Sequence, residues 1–474
     1  MAFYQDMGKW KDHTACIDSK GNSLTYEELE KEAEILGNTI GERTLVFSYC
    51  ENAIGSILGY VSFLKHRVVP VLLAADLEKE LRESLLRLYQ PSYLYVPNRM
   101  KKEFELCESV WEKFDYCLLR TKYSKKVEMY SELALLLTTS GSTGSPKLVR
   151  QSYQNIQSNA AAIAEYLELN AMERPITTLP MNYTYGLSII NSHFFVGAKL
   201  LITENTLLER EFWDFFRREK ATSFGGVPYT YEILKKLKFF EMDLPSLKTM
   251  TQAGGKLSPE LHLEYAEYAE KHQKHFVIMY GQTEATARMA YLPWEKAITK
   301  YGSMGIAIPG GKLWLKTPEG HKIDQPEVVG ELVYEGENVT LGYAECREDL
   351  VQGDLRQGRL ETGDMAKMDQ DGYFYIVGRK KRFLKIFGNR VNLDETERIV
   401  KQKYPELDCA CAGVDDKLYL FMTERMYEKE IKTLLSEKLG LHPSAFHIVW
   451  IKEIPKNNAG KILYKKLEKY YGGL

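Results

Sequence analysis

No apolar stretch in this 474-residue sequence approaches the length of a membrane span, so none is expected. Charge of one sign is not in excess either. Lys and Arg number 63 against 65 Asp and Glu, a net charge of −2. That balance argues against a nucleic-acid scaffold and against a polybasic membrane binder. The opening stretch, MAFYQDMGKWKDH, lacks the apolar core and small-residue cleavage site of a signal peptide. Cysteine is sparse: seven residues, at 16, 50, 107, 117, 346, 409 and 411. Cys409 and Cys411 are separated by one residue, which fits neither a zinc pair nor a CxxC redox pair. Free thiols in a reducing, cytoplasmic setting are the expectation. Internal repeats and low-complexity linkers are absent as well.

What is present is a soluble globular composition, 44% hydrophobic and 27% charged, on a chain too long for one ordinary core. Two or more domains are expected. Short β-like runs alternate with longer helical patterns, which favours an α/β architecture with parallel sheet. The runs are Arg43–Tyr49, Val68–Leu73, Ser92–Val96, Leu133–Thr138, Ile176–Leu179 and Lys199–Thr203. Helical patterns cover Tyr26–Leu36, Leu77–Tyr89, Tyr153–Leu167 and Leu207–Arg218. After about residue 300 the texture becomes β-rich, with Gly330–Glu335, Ala366–Asp369 and Tyr373–Val377 separated by Gly and Asp turns. A basic run, Gly378-Arg-Lys-Lys-Arg-Phe-Leu-Lys385, follows. Residues 382–474 read as a small α+β unit with amphipathic helices near Leu393–Lys403 and Tyr427–Leu439.

The chemistry-bearing segments sit at the ends of these runs. Residues 139–147, Thr-Ser-Gly-Ser-Thr-Gly-Ser-Pro-Lys, form a loop of small hydroxyl residues and glycines that can wrap phosphate oxygens. It is not a Walker loop, because Pro146 precedes Lys147 and Leu148 follows. A helix opening at Ser152 or Tyr153 would place the loop near a positive helix end. Residues 253–256, Ala-Gly-Gly-Lys, let backbone approach a flat ligand. Residues 280–284, Tyr-Gly-Gln-Thr-Glu, offer a base-stacking face, a hydroxyl donor and a carboxylate for magnesium, which takes few protein carboxylates when bound with a nucleotide. Glu361-Thr-Gly-Asp364 offers an acceptor for ribose hydroxyls, with the Arg379 cation further on. Lys461 ends a Gly-initiated turn. Taken singly, each has an ordinary reading: a polar turn, a solvated face, a surface lysine. A kinase or ATPase built on the 139–147 loop also stands open at this point.

In this order and at these separations, the segments resemble the adenylate-forming superfamily of acyl- and aryl-CoA synthetases, luciferases and carrier-loading adenylation domains. The resemblance covers nearly the whole chain. It begins at Ser23-Leu-Thr-Tyr-Glu-Glu-Leu and includes Gly330-Glu-Leu, Leu341-Gly342-Tyr343 and Gly388-Asn-Arg-Val. It implies a large N-terminal domain of α/β sheet layers with a β-rich subdomain (1–377), a hinge (378–381) and a small mobile α+β domain (382–474). It implies ATP and Mg²⁺ as cofactors. Thr139, Ser140, Gly141, Ser142, Thr143, Gly144 and Lys147 would hold the β- and γ-phosphates. Gly254, Gly255, Lys256, Tyr280, Gly281 and Gln282 would surround the adenine, and Asp364 and Arg379 the ribose. Thr283 would contact the α-phosphate, Glu284 would hold Mg²⁺, and Lys461 would reach the substrate carboxylate. Lys381 aligns with the hinge position, Lys385 would enter the site in a second state, and Gly388 would line the pantetheine path.

The same resemblance implies a two-step ligase. A carboxylic acid is activated as acyl-AMP with loss of pyrophosphate, then passed to the thiol of CoA or of a phosphopantetheinyl carrier protein. The acyl pocket, around Tyr183, Thr184 and Gly186, departs from the family pattern. Tyr183 and Tyr153 stand where many CoA ligases have histidine. Thr184 stands where amino-acid-activating members carry an aspartate, and a neutral hydroxyl cannot repay desolvation of an ammonium. A fatty, hydroxy or aryl acid is therefore favoured over an α-amino acid. The alternatives are an amino-acid adenylation enzyme resembling D-alanine ligase, and an adenylate-binding pseudo-enzyme.

Overall fold

Apolar runs become central strands where both faces are covered. Leu45–Cys50 is buried at all six positions, and Val46 faces one core while Leu45 and Phe47 face another. This is the burial expected of parallel strands flanked by helices. The computed structural model describes residues 2–123, 125, 127–138, 147–386, 389–425, 427–456 and 462–471, with backbone alone at 381, 389 and 390. They form two compact units, one drawn from Met1–Ser140, Gly144–Lys312 and Tyr334–Leu360, the other from Leu313–Val333 and Glu361–Leu474.

The first unit is built on two large sheets. The eight-stranded sheet runs Gly342–Ala344, Leu148–Ser152, Leu133–Thr138, Val69–Ala74, Leu45–Cys50, Tyr93–Pro97, Tyr116–Arg120, Glu108–Lys113. Its centre is parallel and its margins antiparallel. The nine-stranded sheet has a parallel centre that includes Ser223–Gly226, Thr249–Gln252 and His275–Tyr280. Four helices, Tyr26–Ile40, Ile54–Lys65, Tyr153–Tyr166 and Thr184–Phe195, share one apolar core with strands of both sheets. Their starts follow local chemistry. Thr25 and Glu28 form a capping box before Tyr26, and Ser152 and Asn155 form one before Tyr153.

The second unit holds most of a five-stranded sheet that includes Gly330–Glu335, Arg359–Met368 and Phe374–Arg379. It continues into the hairpin Phe383–Ile386/Asn389–Asn392 and a three-stranded sheet, Cys409–Val414, Lys417–Met422 and Phe446–Trp450. Helices Leu393–Lys403 and Glu428–Leu439 pack there, sharing an apolar cluster with those strands. The α/β class with a β-rich portion is as expected. All seven cysteines are free thiols. No helix among the described residues is long and apolar enough to cross a membrane.

Three local expectations are corrected. Ile176–Leu179 contributes strand only at Pro175–Ile176, and the helix expected from Leu207 starts at Arg210. The third bears on the site. Strand Leu148–Ser152 intervenes between the hydroxyl-rich loop and the helix at Tyr153, pairing Thr138 with Leu148 and Leu133 with Ser152. The helix start therefore lies at the far end of the strand pair from Thr138 and Leu148, about 15 Å along the strand. Macrodipole effects fade within the first turn, so this helix end does not act at Thr138 and Leu148.

Candidate active site

The hairpin that carries the hydroxyl-rich loop is held by a buried arginine. Residues Thr139, Ser140, Gly141, Ser142, Thr143 and Gly144 lie outside the described residues, while Lys147 stands at the start of the outgoing strand. Strand Gly342–Ala344 pairs with that strand, placing Tyr343 opposite Val149. Arg150, fully buried, donates to Tyr343 O at 3.0 Å, to Leu341 O at 3.0 Å and to the Gln352 carbonyl. Its hydrogen bonds all go to backbone carbonyl oxygens. The result is a fixed position for the Tyr343 ring. Lys147 Nζ lies 3.7 Å from the ring centroid and Arg356 Cζ 4.7 Å, both within cation–π reach.

The Tyr-Gly-Gln-Thr-Glu segment reaches the same ring from the other sheet. Strand His275–Tyr280 ends in a tight turn where a Cβ on Gly281 would meet Ala287 O at 1.7 Å. Glycine is thus required sterically. Gln282 Nε2 donates to Tyr280 Oη at 3.2 Å. Thr283–Ala285 forms a single 3₁₀ turn. The Glu284 carbonyl accepts from Thr340 N at 3.0 Å and from Arg356 Nη1 at 2.9 Å. Its carboxylate Oε1 accepts from Tyr343 Oη at 2.7 Å. Burial, and then the Glu284 charge, push the Tyr343 hydroxyl up to about 12, so it remains a neutral donor near neutrality. One carboxylate oxygen is thereby engaged while Glu284 stays partly exposed.

The next residues are strained. Thr286 has φ +66 and ψ −49, an outlier for a β-branched residue. It is held from several sides. Thr286 Oγ1 donates to Asn338 O at 2.7 Å, and its carbonyl accepts from Thr184 Oγ1 and, at 3.4 Å, from Gln151 Nε2. Asn338 Nδ2 donates to Ala285 O and Arg288 O at 2.9 and 3.0 Å. Strain of this kind persists only when surroundings over-determine it, and it clusters at functional sites.

Strand Thr249–Gln252, parallel to His275–Tyr280, delivers the Ala-Gly-Gly-Lys turn. Gln252 Nε2 pins it by donating to Gly255 O at 2.9 Å. Gly254 has φ +82, and a Cβ there would lie 2.6 Å from Tyr183 Oη. The Ala-Gly-Gly-Lys turn and Tyr183 therefore lie close together. Lys256 is exposed. Gly186 is needed because a Cβ would meet Pro180 O at 2.3 Å. Thr184 is buried, with its hydroxyl already given to Thr286. Behind it lies a small cavity lined by residues that include Gln151, Asn159, Thr184, Ser188 and Thr286. Gln151 Oε1 and Asn159 Oδ1 are buried without partners among the described residues.

In the second unit, Asp364 and Arg379 face each other across Arg359–Met368 and Phe374–Arg379, with Nε to Oδ1 at 3.5 Å. Asp364 is buried and Arg379 half exposed. The basic run largely has structural partners. Lys380 pairs with Glu331 at 2.9 Å, and buried Arg382 pairs with Asp394 at 2.8 Å and Glu397 at 2.6 Å. Lys385 is exposed on the strand Phe383–Ile386. Lys381 stands in the turn Lys380–Arg382. Gly388 and Lys461 lie outside the described residues.

Sequence reading did not single out Arg356, Thr286, Asn338 or Arg288, and it quoted Tyr343 only as part of a motif. Arg288 carried a signal, being the one charge in the otherwise neutral Ala285–Leu292 run.

The two α/β sheets thus meet at a tyrosine–carboxylate pair, Tyr343 and Glu284. A family model described as "AMP-binding enzyme" matches residues 3–344. The chain belongs to that family. Among relatives, a long-chain-fatty-acid–CoA ligase of Yersinia pestis is 29% identical over 73% of this chain and 63% of its own length. A 2-succinylbenzoate–CoA ligase of Oceanobacillus iheyensis is 24% identical over 97% of this chain and 96% of its own. In fold, the chain resembles O-succinylbenzoate CoA synthetase (MenE) of Bacillus subtilis in complex with AMP, with TM-score 0.81, 20% identity and 98% of each chain covered. It also resembles ATP-bound MatB of Rhodopseudomonas palustris, with TM-score 0.79, 19% identity and 99% of each chain covered.

Proposed function

We propose that the protein is an ATP-dependent acid–thiol ligase that makes an acyl-AMP with release of pyrophosphate, then transfers the acyl group to CoA. The observation that carries this reading is the convergence of Lys147, Glu284, Tyr343 and Arg356, distant in sequence, on one ring and one carboxylate. It supports a magnesium role for Glu284, since a divalent cation needs a carboxylate whose orientation is fixed by an outer partner. Mg²⁺ would supply charge to the phosphates. The residues of the chain hold, orient and neutralise. Thr283 contacts the α-phosphate, Lys147 stays beside the departing phosphates, and Asp364 with Arg379 takes the ribose.

An anionic carboxylate must approach a polyanion in this reaction, so positioning and charge neutralisation are the protein's main contribution. Lys461 is assigned the charge at the α-phosphate, and Lys461→Ala is expected to lower adenylation about 10²–10³-fold with ATP binding nearly intact. Wild-type rates of pyrophosphate exchange in that variant would remove the assignment. Lys381 is assigned the hinge between the two half-reactions, so Lys381→Pro should impair thioester formation more than adenylation. CoA is favoured over a carrier protein because CoA ligases recur among the relatives. Pyrophosphate exchange across a panel of carboxylic acids, with mass spectrometry of CoA and carrier adducts, tests both the reaction and the acceptor.

A further inference from the structure

Two buried side chains of the first unit end in acceptor oxygens that no protein donor meets. Gln151 is 1% exposed and Asn159 2%. Neither Gln151 Oε1 nor Asn159 Oδ1 has a hydrogen-bond partner among the described residues. The other end of each amide fixes its orientation. Asn159 Nδ2 donates to Arg288 O at 2.9 Å, and Gln151 Nε2 donates to Thr286 O at 3.4 Å. Turning either amide over would set its oxygen against a carbonyl, so the unmet atoms are the oxygens. Leaving a buried acceptor unmet is unfavourable, and in folded proteins such atoms are paired with protein or with ordered water.

Both side chains line one cavity, together with Thr184, Ser188, Asn191 and Thr286, and every residue of its wall is buried. Its volume of about 10 Å³ has room for one water-sized occupant. The hydroxyls of the wall cannot supply the missing donors. Thr184 gives its proton to Thr286 O, Ser188 to Tyr185 O, and Thr286 to Asn338 O. Asn191 offers the complement, since its Oδ1 accepts from Tyr60 Oη at 2.8 Å and its Nδ2 is left as a donor. Two acceptors and one donor match the two O–H groups and a lone pair of water, and three hydrogen bonds are usual for a buried one. A cation fits less well. The amide oxygens are neutral, and the buried Arg288 guanidinium, whose side-chain partners are all neutral, donates to Ser188 Oγ of the same wall at 3.1 Å.

We infer that this cavity is a binding site for one ordered water molecule, which donates to Gln151 Oε1 and Asn159 Oδ1 and accepts from Asn191 Nδ2. The water joins strand Leu148–Ser152, helix Tyr153–Tyr166 and helix Thr184–Phe195 beside the strained residue Thr286. Its place there does not depend on the reaction proposed above.

The test is a crystal structure of the intact protein at a resolution that shows ordered water, with and without a rubidium soak, beside a solution count of long-lived waters by ¹⁷O relaxation dispersion. The expected result is one peak within hydrogen-bond distance of both amide oxygens, with no anomalous signal from rubidium. Gln151→Met and Asn159→Leu each remove one acceptor at nearly constant size, and each should lose one long-lived water from the count. A cavity without density, or an amide oxygen paired with a protein donor, overturns the inference. So does a rubidium peak, which would make the occupant a cation, and so does an unchanged count in a folded variant. The wild-type structure decides the matter even if neither variant folds.

Discussion

At position 343 a tyrosine hydroxyl meets the carboxylate of Glu284 at 2.7 Å, and cations lie near the ring. The hydroxyl fixes where the carboxylate points, so under the proposed magnesium role its removal should be felt in Mg²⁺ dependence rather than in the fold. Tyr343→Phe keeps the ring and both cation–π contacts. It is expected to raise the Mg²⁺ concentration for half-maximal exchange by about 10-fold. A Mg²⁺ titration identical to wild type would contradict the role. The residue types of the site were legible in sequence because hydroxyls, glycines and carboxylates at strand ends announce phosphate chemistry. The supporting partners were not, since Tyr343 and Arg356 reach Glu284 only through a sheet pairing between segments nearly 200 residues apart. Arg288 was missed for a related reason: a single cation has meaning only once its neutral surroundings are seen.

Among the elements, the turn after Tyr280 is the most constrained. A Cβ at Gly281 would enter the Ala287 carbonyl, so Gly281→Ala must displace the turn that sets Thr283 and Glu284. Exchange activity should fall by at least about 100-fold, the size of effect expected when reacting groups shift by an ångström. Near-normal activity would show that the turn is not part of the site. Strands such as Leu133–Thr138 and helices such as Leu393–Lys403 were readable from apolar runs and period. Helices Ile54–Lys65 and Thr184–Phe195 were not. Each is buried at every position except its last, and a helix wrapped by core shows no polar face for periodicity to detect. The second of these carries Thr184, Tyr185 and Ser188, which is why the proposed acyl pocket was the least legible part of the chain. The hairpin at 138–148 misled in the other direction, because a strand of only five residues separates the loop from a well-signalled helix cap.

For the molecule as a whole, two buried histidines set an acid limit. Burial lowers His193 and His262 each to about 4. Above about pH 6.5 both are neutral folded or unfolded, and they contribute no pH dependence. As pH falls from 6.5 towards 4 the unfolded chain takes up protons that the fold refuses, so stability declines by about 3 kcal/mol per histidine over that window. Denaturant midpoints measured across it should fall, and His193→Gln should remove about one proton from the slope. An unchanged slope would contradict the account. The layered α/β core was legible from composition and alternation, whereas the partners of the basic run emerged only from the fold, with Arg382 buried against Glu397 and Asp394. The central claim is that the chain cleaves ATP at the α-phosphate with a carboxylic acid as nucleophile. Its most direct test is the nucleotide product of a turnover with ATP, Mg²⁺, an accepted acid and CoA. The account predicts AMP and pyrophosphate in equal amounts with the thioester, and ADP with inorganic phosphate would contradict it.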